Sequence, residues 1–338
     1  MPSARSRIVN GVTRAMIRIA YRSPEDDVTA YRPRYAKTDA RVRKLLPPGL
    51  TTEELDAPPG RWVRNANASD LTILYLHGGA FILRIPRTHT AFAASLCRDL
   101  DASAFLPWYR LAPEHPFPAA PEDCLSAYRH LLDSGHAPEK IVVMGDSAGA
   151  NLTLSLLHLI RRADLPMPLG AVTFSAITDF AEISGTWRLN TWRDPMYIVQ
   201  GAVQPQRHYL QGASPVDPIA SPYYGELAGL PPLRLVVGGV EALLEDSVKF
   251  VQKAVEAGTR ASVQIWKGMP HVFLLYDFLP ETALARADVV SWVRSLLDGP
   301  VPDSTDAELP YRDCVELVDR HAVTGSVRRV TNSIDLVD

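Results

Sequence analysis

The chain is 338 residues long, 46% hydrophobic and 22% charged, with a formal net charge of −3. That length and balance fit a globular enzyme with a large core and exclude an intrinsically disordered chain. A charge so near neutral supplies no electrostatic drive toward nucleic acid or an anionic membrane surface.

The three cysteines, Cys97, Cys124 and Cys314, show no CxxC spacing. That argues against a zinc site or a disulfide framework and for reduced thiols in the cytoplasm. No apolar run reaches transmembrane length.

In chain order, residues 1–50 carry helical pattern and no strand signal. Ile8, Val12, Ala15, Met16 and Ile19 recur at helical spacing, while Arg14 and Arg18 interrupt what would be the apolar core of a signal peptide. An amphipathic helix packed on the protein's own body is expected here, as an N-terminal cap segment; a membrane-surface helix is the alternative. The catalytic domain is expected over 51–298. Strands are predicted at 72–76, 104–109, 141–144, 171–174, 233–237 and 262–266. Helices are predicted at 88–100, 121–132, 148–162, 245–257 and 281–297. This alternation implies an α/β fold, a mostly parallel sheet covered by helices on both faces. Residues 180–225 break the rhythm with Trp187, Trp192, Met196, Tyr197, Tyr209, Tyr223 and Tyr224. Insertions of this kind lie over the carboxyl ends of the strands, so the segment reads as a cap, with most of its aromatics forming the cap's own core. Residues 299–338, with Pro300, Pro302 and Pro310, form a C-terminal extension, either an ordered arm or a mobile tail.

The chemistry concentrates in two motifs. Gly145-Asp146-Ser147-Ala148-Gly149 has the form G-x-S-x-G and stands directly after a predicted strand and before a predicted helix. A serine there sits in a tight turn that lifts its hydroxyl out of the sheet, beside helix N-terminal amides that favour developing negative charge. His77-Gly78-Gly79-Ala80-Phe81 follows an earlier strand, 70 residues before the serine. Adjacent glycines leave amides unshielded, as an oxyanion hole requires. The expected donors are the amides of Gly78, Gly79 and Ala148, with His77 a structural hydrogen-bonder.

These two motifs, with Tyr109-Arg110-Leu111-Ala112-Pro113-Glu114-His115-Pro116-Phe117-Pro118-Ala119 between them, resemble the hormone-sensitive-lipase family of α/β hydrolases, over about residues 70–297. The family pattern is HGGG; Ala80 replaces its third glycine, a change that backbone donors tolerate. The resemblance implies an α/β-hydrolase fold with a helical cap, and cis peptide bonds at Ala112–Pro113 and Phe117–Pro118. It also implies the triad order Ser, acid, His. His271, in Lys267-Gly268-Met269-Pro270-His271-Val272-Phe273, matches the family's histidine loop, whereas His89, His130 and His158 fall in helices and His321 in the extension. The family's D-P-L-x-D run becomes Glu241-Ala242-Leu243-Leu244-Glu245, so alignment on Leu243 makes Glu241 the acid. Asp246 and Glu245 are the fallback, inside the following helix.

The function expected is a serine carboxylesterase acting on short-to-medium-chain esters through an acyl-enzyme, with Ser147, His271 and Glu241 as triad and no metal or cofactor. The same triad would serve a lactone hydrolase or an N-acetyl or O-acetyl deacetylase. A receptor that has lost the histidine, as in plant hormone receptors resembling this family, is disfavoured by His271. The partners expected are a small-molecule ester and, for assembly, a second copy of the chain; neither nucleic acid nor an integral membrane segment is expected.

Overall fold

A computed structural model describes residues 28–42, 46–182, 184–190, 193–194, 206–298, 315–318 and 328–329, with positions 3, 5, 8, 10 and 11. Val12, Ala15, Met16, Ile19, Trp192, Met196, Tyr197, Cys314 and His321 lie outside them. Ile8, placed by its spacing on an apolar face, is exposed.

Among the described residues the sheet has ten strands: β1 Leu50–Asp56, β2 Pro59–Asn65, β3 Thr72–Leu76, β4 Ser103–Pro107, β5 Ile141–Asp146, β6 Gly170–Phe174, β7 Leu233–Gly238, β8 Ala261–Trp266, β9 Val315–Val318 and β10 Arg328–Arg329. Their order is β1-β2-β4-β3-β5-β6-β7-β8-β9-β10. From β4 to β9 neighbouring strands are parallel; β1, β2 and β10 add antiparallel edges. The six predicted strands are β3 to β8. The β1–β2 hairpin is not among them, because β1 keeps only Leu50 buried and shows no apolar alternation.

The helices are α1 Val28–Asp39, α2 Pro86–Leu100, α3 Ala119–Asp133, α4 Ala148–Arg162, α5 Gly185–Asn190, α6 Leu244–Glu256 and α7 Pro280–Leu297. Alternate strand residues feed two cores, as a period of two demands. Leu74, Leu76 and Val143 pack with Cys124 and Ala127 of α3, Leu152 and Leu156 of α4 and Phe250 of α6. Ile73, Tyr75, Val142 and Met144 pack on the other face with Phe92 and Leu96 of α2 and Val289 and Val293 of α7. With both faces covered, β3, β5, β6 and β7 are buried throughout, which is why they read as unbroken apolar runs. Both Ala112–Pro113 and Phe117–Pro118 are cis, and Ala57–Pro58 is a third such bond.

The N-terminal residues bind the loops at the carboxyl edge. Arg32 of α1 grips both carboxylate oxygens of Glu114 and donates to the carbonyls of Ile82 and Ala112. Ile85, just before helix α2, makes no side-chain capping hydrogen bond. Asp39 fills that role from α1, accepting the amides of Arg87 and Thr88 at 2.9 Å each. Asn10 donates to the Gly268 carbonyl. No helix among the described residues is long and apolar enough to cross a membrane.

Candidate active site

Ser147 stands between β5 and α4 with φ 53° and ψ −116°, a strained conformation for a residue with a side chain. Glycine is obligatory on both sides. A Cβ on Gly149 would fall 1.9 Å from the Leu76 carbonyl oxygen, and one on Gly145 would fall 2.3 Å from the Gly149 carbonyl oxygen. The first helical turn therefore passes directly against the end of β3, and the serine is lifted to the sheet's carboxyl edge.

His271 lies in the loop after β8. Its Nε2 is 2.9 Å from Ser147 Oγ, and its Nδ1 is 2.8 Å from Glu241 Oε2. Glu241 is fully buried in the turn between β7 and α6. Its second oxygen, Oε1, accepts the Ser175 hydroxyl at 2.9 Å and the Gly238 amide. Ser175, just past β6 with φ 59°, also accepts the Val272 amide at 3.0 Å. One hydroxyl thus ties the carboxylate to the residue after the histidine. A Cβ on Gly238 would fall 2.2 Å from the Met269 carbonyl oxygen, so the two loops can approach only with glycine there. Asn190 of α5 donates to the Glu241 carbonyl, and Asp194 accepts the Ala242 amide.

Burial by itself would push the His271 imidazole down. The hydrogen bond and charge of Glu241 outweigh it, with Asp194 and Asp146 adding, and hold the group above its ordinary value. A hydroxyl, imidazole and carboxylate in series can move a proton off the serine and hold the resulting positive charge.

Asp246, the fallback acid, does not reach the histidine. It sits in the first turn of α6, where its carboxylate accepts the Thr178 amide at 3.0 Å. Glu245 pairs with Lys249 and accepts the Thr186 amide. His89 is bonded to Asp146 and His158 to the Pro222 carbonyl.

Gly78 departs from expectation. Its amide donates to Asp146 Oδ1 at 2.9 Å and so is not free for a ligand. The next two amides, of Gly79 and Ala80, donate to no backbone group among the described residues. Gly79 and Ala80 have φ 122° and 53°, which turns this loop sharply. His77 is engaged structurally: its Nδ1 meets the Gly78 carbonyl at 2.7 Å, Arg84 donates to its Nε2 at 3.3 Å, and its ring stacks on Tyr109.

Neither Asp146 nor Ser175 was singled out from the sequence. For Ser175 the available signal was position, since residues just past the carboxyl end of parallel strands line the ligand crevice. Of the 180–225 aromatics, Tyr209 stacks on Phe81 at 3.8 Å and meets Phe117 and Phe180 edge-on or tilted. Trp187 is buried beside Ile177, Ala242 and Leu243.

A family model described as alpha/beta hydrolase fold matches residues 73–275. An acetyl-hydrolase of Streptomyces hygroscopicus is 35% identical over 80% of this chain and 91% of its own length. An esterase of Acinetobacter venetianus is 33% identical over 76% of this chain and 82% of its own. A solved esterase from the bacterial hormone-sensitive lipase family superposes with a TM-score of 0.80 at 32% identity, across 88% of this chain and all of that one.

Proposed function

The chain belongs to the hormone-sensitive-lipase family of α/β hydrolases and is a carboxylic ester hydrolase; on that premise we propose that Ser147, His271 and Glu241 carry the reaction. Ser147 Oγ attacks the ester carbonyl as its proton passes to His271 Nε2. Glu241 keeps the second proton on Nδ1 and balances the imidazolium charge. His271 then protonates the departing alcohol. Water, deprotonated by the same imidazole, releases the acid from the acyl-enzyme. The oxyanion falls to the amides of Gly79, Ala80 and Ala148. This replaces Gly78 of the sequence reading with Ala80, because the Gly78 amide is already bonded to Asp146. Residues 1–50 and 180–225 are read as the cap of this site: among the described residues the Arg32, Asp39 and Asn10 bonds support the first segment, and the Asn190 bond and the Tyr209 stacking support the second.

The observation that carries the assignment is the unbroken relay from Ser147 through His271 to Glu241, at 2.9 and 2.8 Å. Ser147→Ala should reduce hydrolysis of p-nitrophenyl butyrate to the residue left by the oxyanion site, roughly 10³-fold above water. Near-normal turnover by that variant, purified free of host esterases, would remove Ser147 from its role. The same assay run from C2 to C16 acyl chains tests the cap, with C4 expected above C16 in kcat/KM. Deacetylation is the second reading, favoured by the acetyl-hydrolase relative. A set of O-acetyl and N-acetyl substrates, ranked by kcat/KM against the butyrate ester, decides it.

A further inference from the structure

Asp146 takes no part in the reaction above, yet its carboxylate is buried beneath the nucleophile turn, 2% exposed. Oδ1 accepts the Tyr75 hydroxyl at 2.7 Å and the Gly78 amide at 2.9 Å, and Oδ2 faces His89 Nε2 at 3.4 Å. Burial pushes this carboxyl up, but His89, the Tyr75 hydroxyl and the Gly78 amide overcome it and hold it below its ordinary value. It is therefore an ionised group that only accepts. Desolvating a carboxylate is costly, and a position needed for packing alone would be served better by an apolar side chain.

The partners explain its presence. Asp146 directly precedes Ser147, and Gly78 directly precedes Gly79 and Ala80. One hydrogen bond therefore joins the chain of the nucleophile to the chain of the oxyanion donors. There is no slack in it, since a Cβ on Gly78 would fall 2.2 Å from Asp146 Oδ2. The other end of Gly78 is held as well. Arg84 donates to His77 Nε2, which leaves the ring proton on Nδ1 to be donated to the Gly78 carbonyl. In a trans peptide the carbonyl and the next amide point opposite ways, so fixing the Gly78 carbonyl aims the Gly79 amide.

We propose that Asp146 is a positioning residue for the oxyanion site, holding Gly78 so that the amides of Gly79 and Ala80 face the oxygen that becomes negative on attack by Ser147. The proposal rests on Ser147 being the nucleophile. It predicts a loss confined to the stage at which charge sits on that oxygen.

The test compares p-nitrophenyl acetate with its thiono analogue, in which the carbonyl oxygen is sulfur, a much weaker acceptor. Asp146→Val and Asp146→Ser lose the reach to Gly78 in different ways, so one folded protein suffices; Asp146→Asn keeps an acceptor. In the Val or Ser variant the oxygen-to-sulfur ratio of kcat should fall by about tenfold or more, against the 10²–10³ typical of a deleted oxyanion donor. KM should change less than kcat, and the Asn variant should stay close to wild type. If both substrates slow together with the ratio unmoved, or if neither Val nor Ser variant folds, Asp146 is a structural pin and the proposal falls. Ser147→Ala run alongside separates the two readings: near-normal turnover of either substrate by that variant would overturn the nucleophile assignment instead.

Discussion

A glutamate stands where the family pattern carries aspartate, and its longer side chain must be fixed if one oxygen alone is to meet the imidazole. Gly238 holds the carboxylate instead, lying against the Met269 carbonyl and giving its amide to Glu241 Oε1. Ser175 takes the rest of that oxygen's capacity, leaving Oε2 for His271. Glu241→Gln should preserve the fold and lower kcat by about 10³–10⁴-fold, because the neutral amide favours the wrong tautomer. Asp246→Asn, which alters a group bonded to Thr178 and not to His271, should leave kcat nearly unchanged; the reverse ranking in steady-state assays would transfer the acid's role to Asp246. The proton balance adds a pH signature. His271 must be neutral to accept the serine proton, and Glu241 raises its pKa above the ordinary imidazole value. The acidic limb of kcat/KM should therefore lie above that of a free imidazole, with activity lost as pH falls through it, and should move down in Glu241→Gln. That Ser147 and His271 would come together was legible because each sits in a short local motif, and that Glu241 would join them because Leu243 fixes the alignment. The partner of the Gly78 amide was not legible, because Asp146 lies far off in the chain and is brought to it by the fold. A lone serine after a strand, such as Ser175, leaves no local pattern at all.

At the scale of elements, β3 to β8 and the helices that cross between them were legible because burial on both faces leaves apolar runs and helical stripes. The β1–β2 hairpin was not, since an edge strand of Thr and Glu buries almost nothing. The first turn of α6 shows how an element can be locked by a group the reaction does not use. Burial raises the Asp246 carboxyl to about 7, with Asp179 adding and Lys249 and the Thr178 and Asp179 amides opposing. An unfolded aspartate titrates near 3.9, so the folded state keeps a proton that the unfolded chain releases. That contribution is fully present below about 4 and is lost as pH rises through about 7. Between pH 5 and 8 the wild type should lose more Tm than Asp246→Asn does. The gap should be about 2 °C or more, the size of roughly 1 kcal/mol in a large domain. Parallel Tm curves for the two proteins would show that Asp246 is ionised throughout and that its burial has been misjudged.

For the whole molecule, the question is what the last forty positions do. Residues 299–338 lie beyond the 73–275 matched by the family model. Strand β9 pairs in parallel with β8, from Val263 opposite Val315 to Trp266 opposite Val318. Strand β8, helix α7 and strand β9 thus form one more strand–helix–strand crossover, the same unit that builds the rest of the parallel sheet. Strand β8 is buried at all but one position, and without β9 its outer edge would offer unpaired amides and carbonyls to another chain. None of Ser147, His271, Glu241, Gly79, Ala80 or Ala148 lies beyond residue 298. Deleting residues 301–338 should therefore change kcat/KM by no more than about twofold, as for alterations remote from a site. It should also raise self-association, visible in light scattering behind a sizing column as species larger than the full-length protein. A truncated chain that kept the full-length protein's assembly state would mean the β8 edge is protected by its own twist or by charged neighbours, with β9 dispensable. A folded truncation without activity would mean instead that the extension reaches the carboxyl edge of the sheet and supports the loops that carry Glu241 and His271.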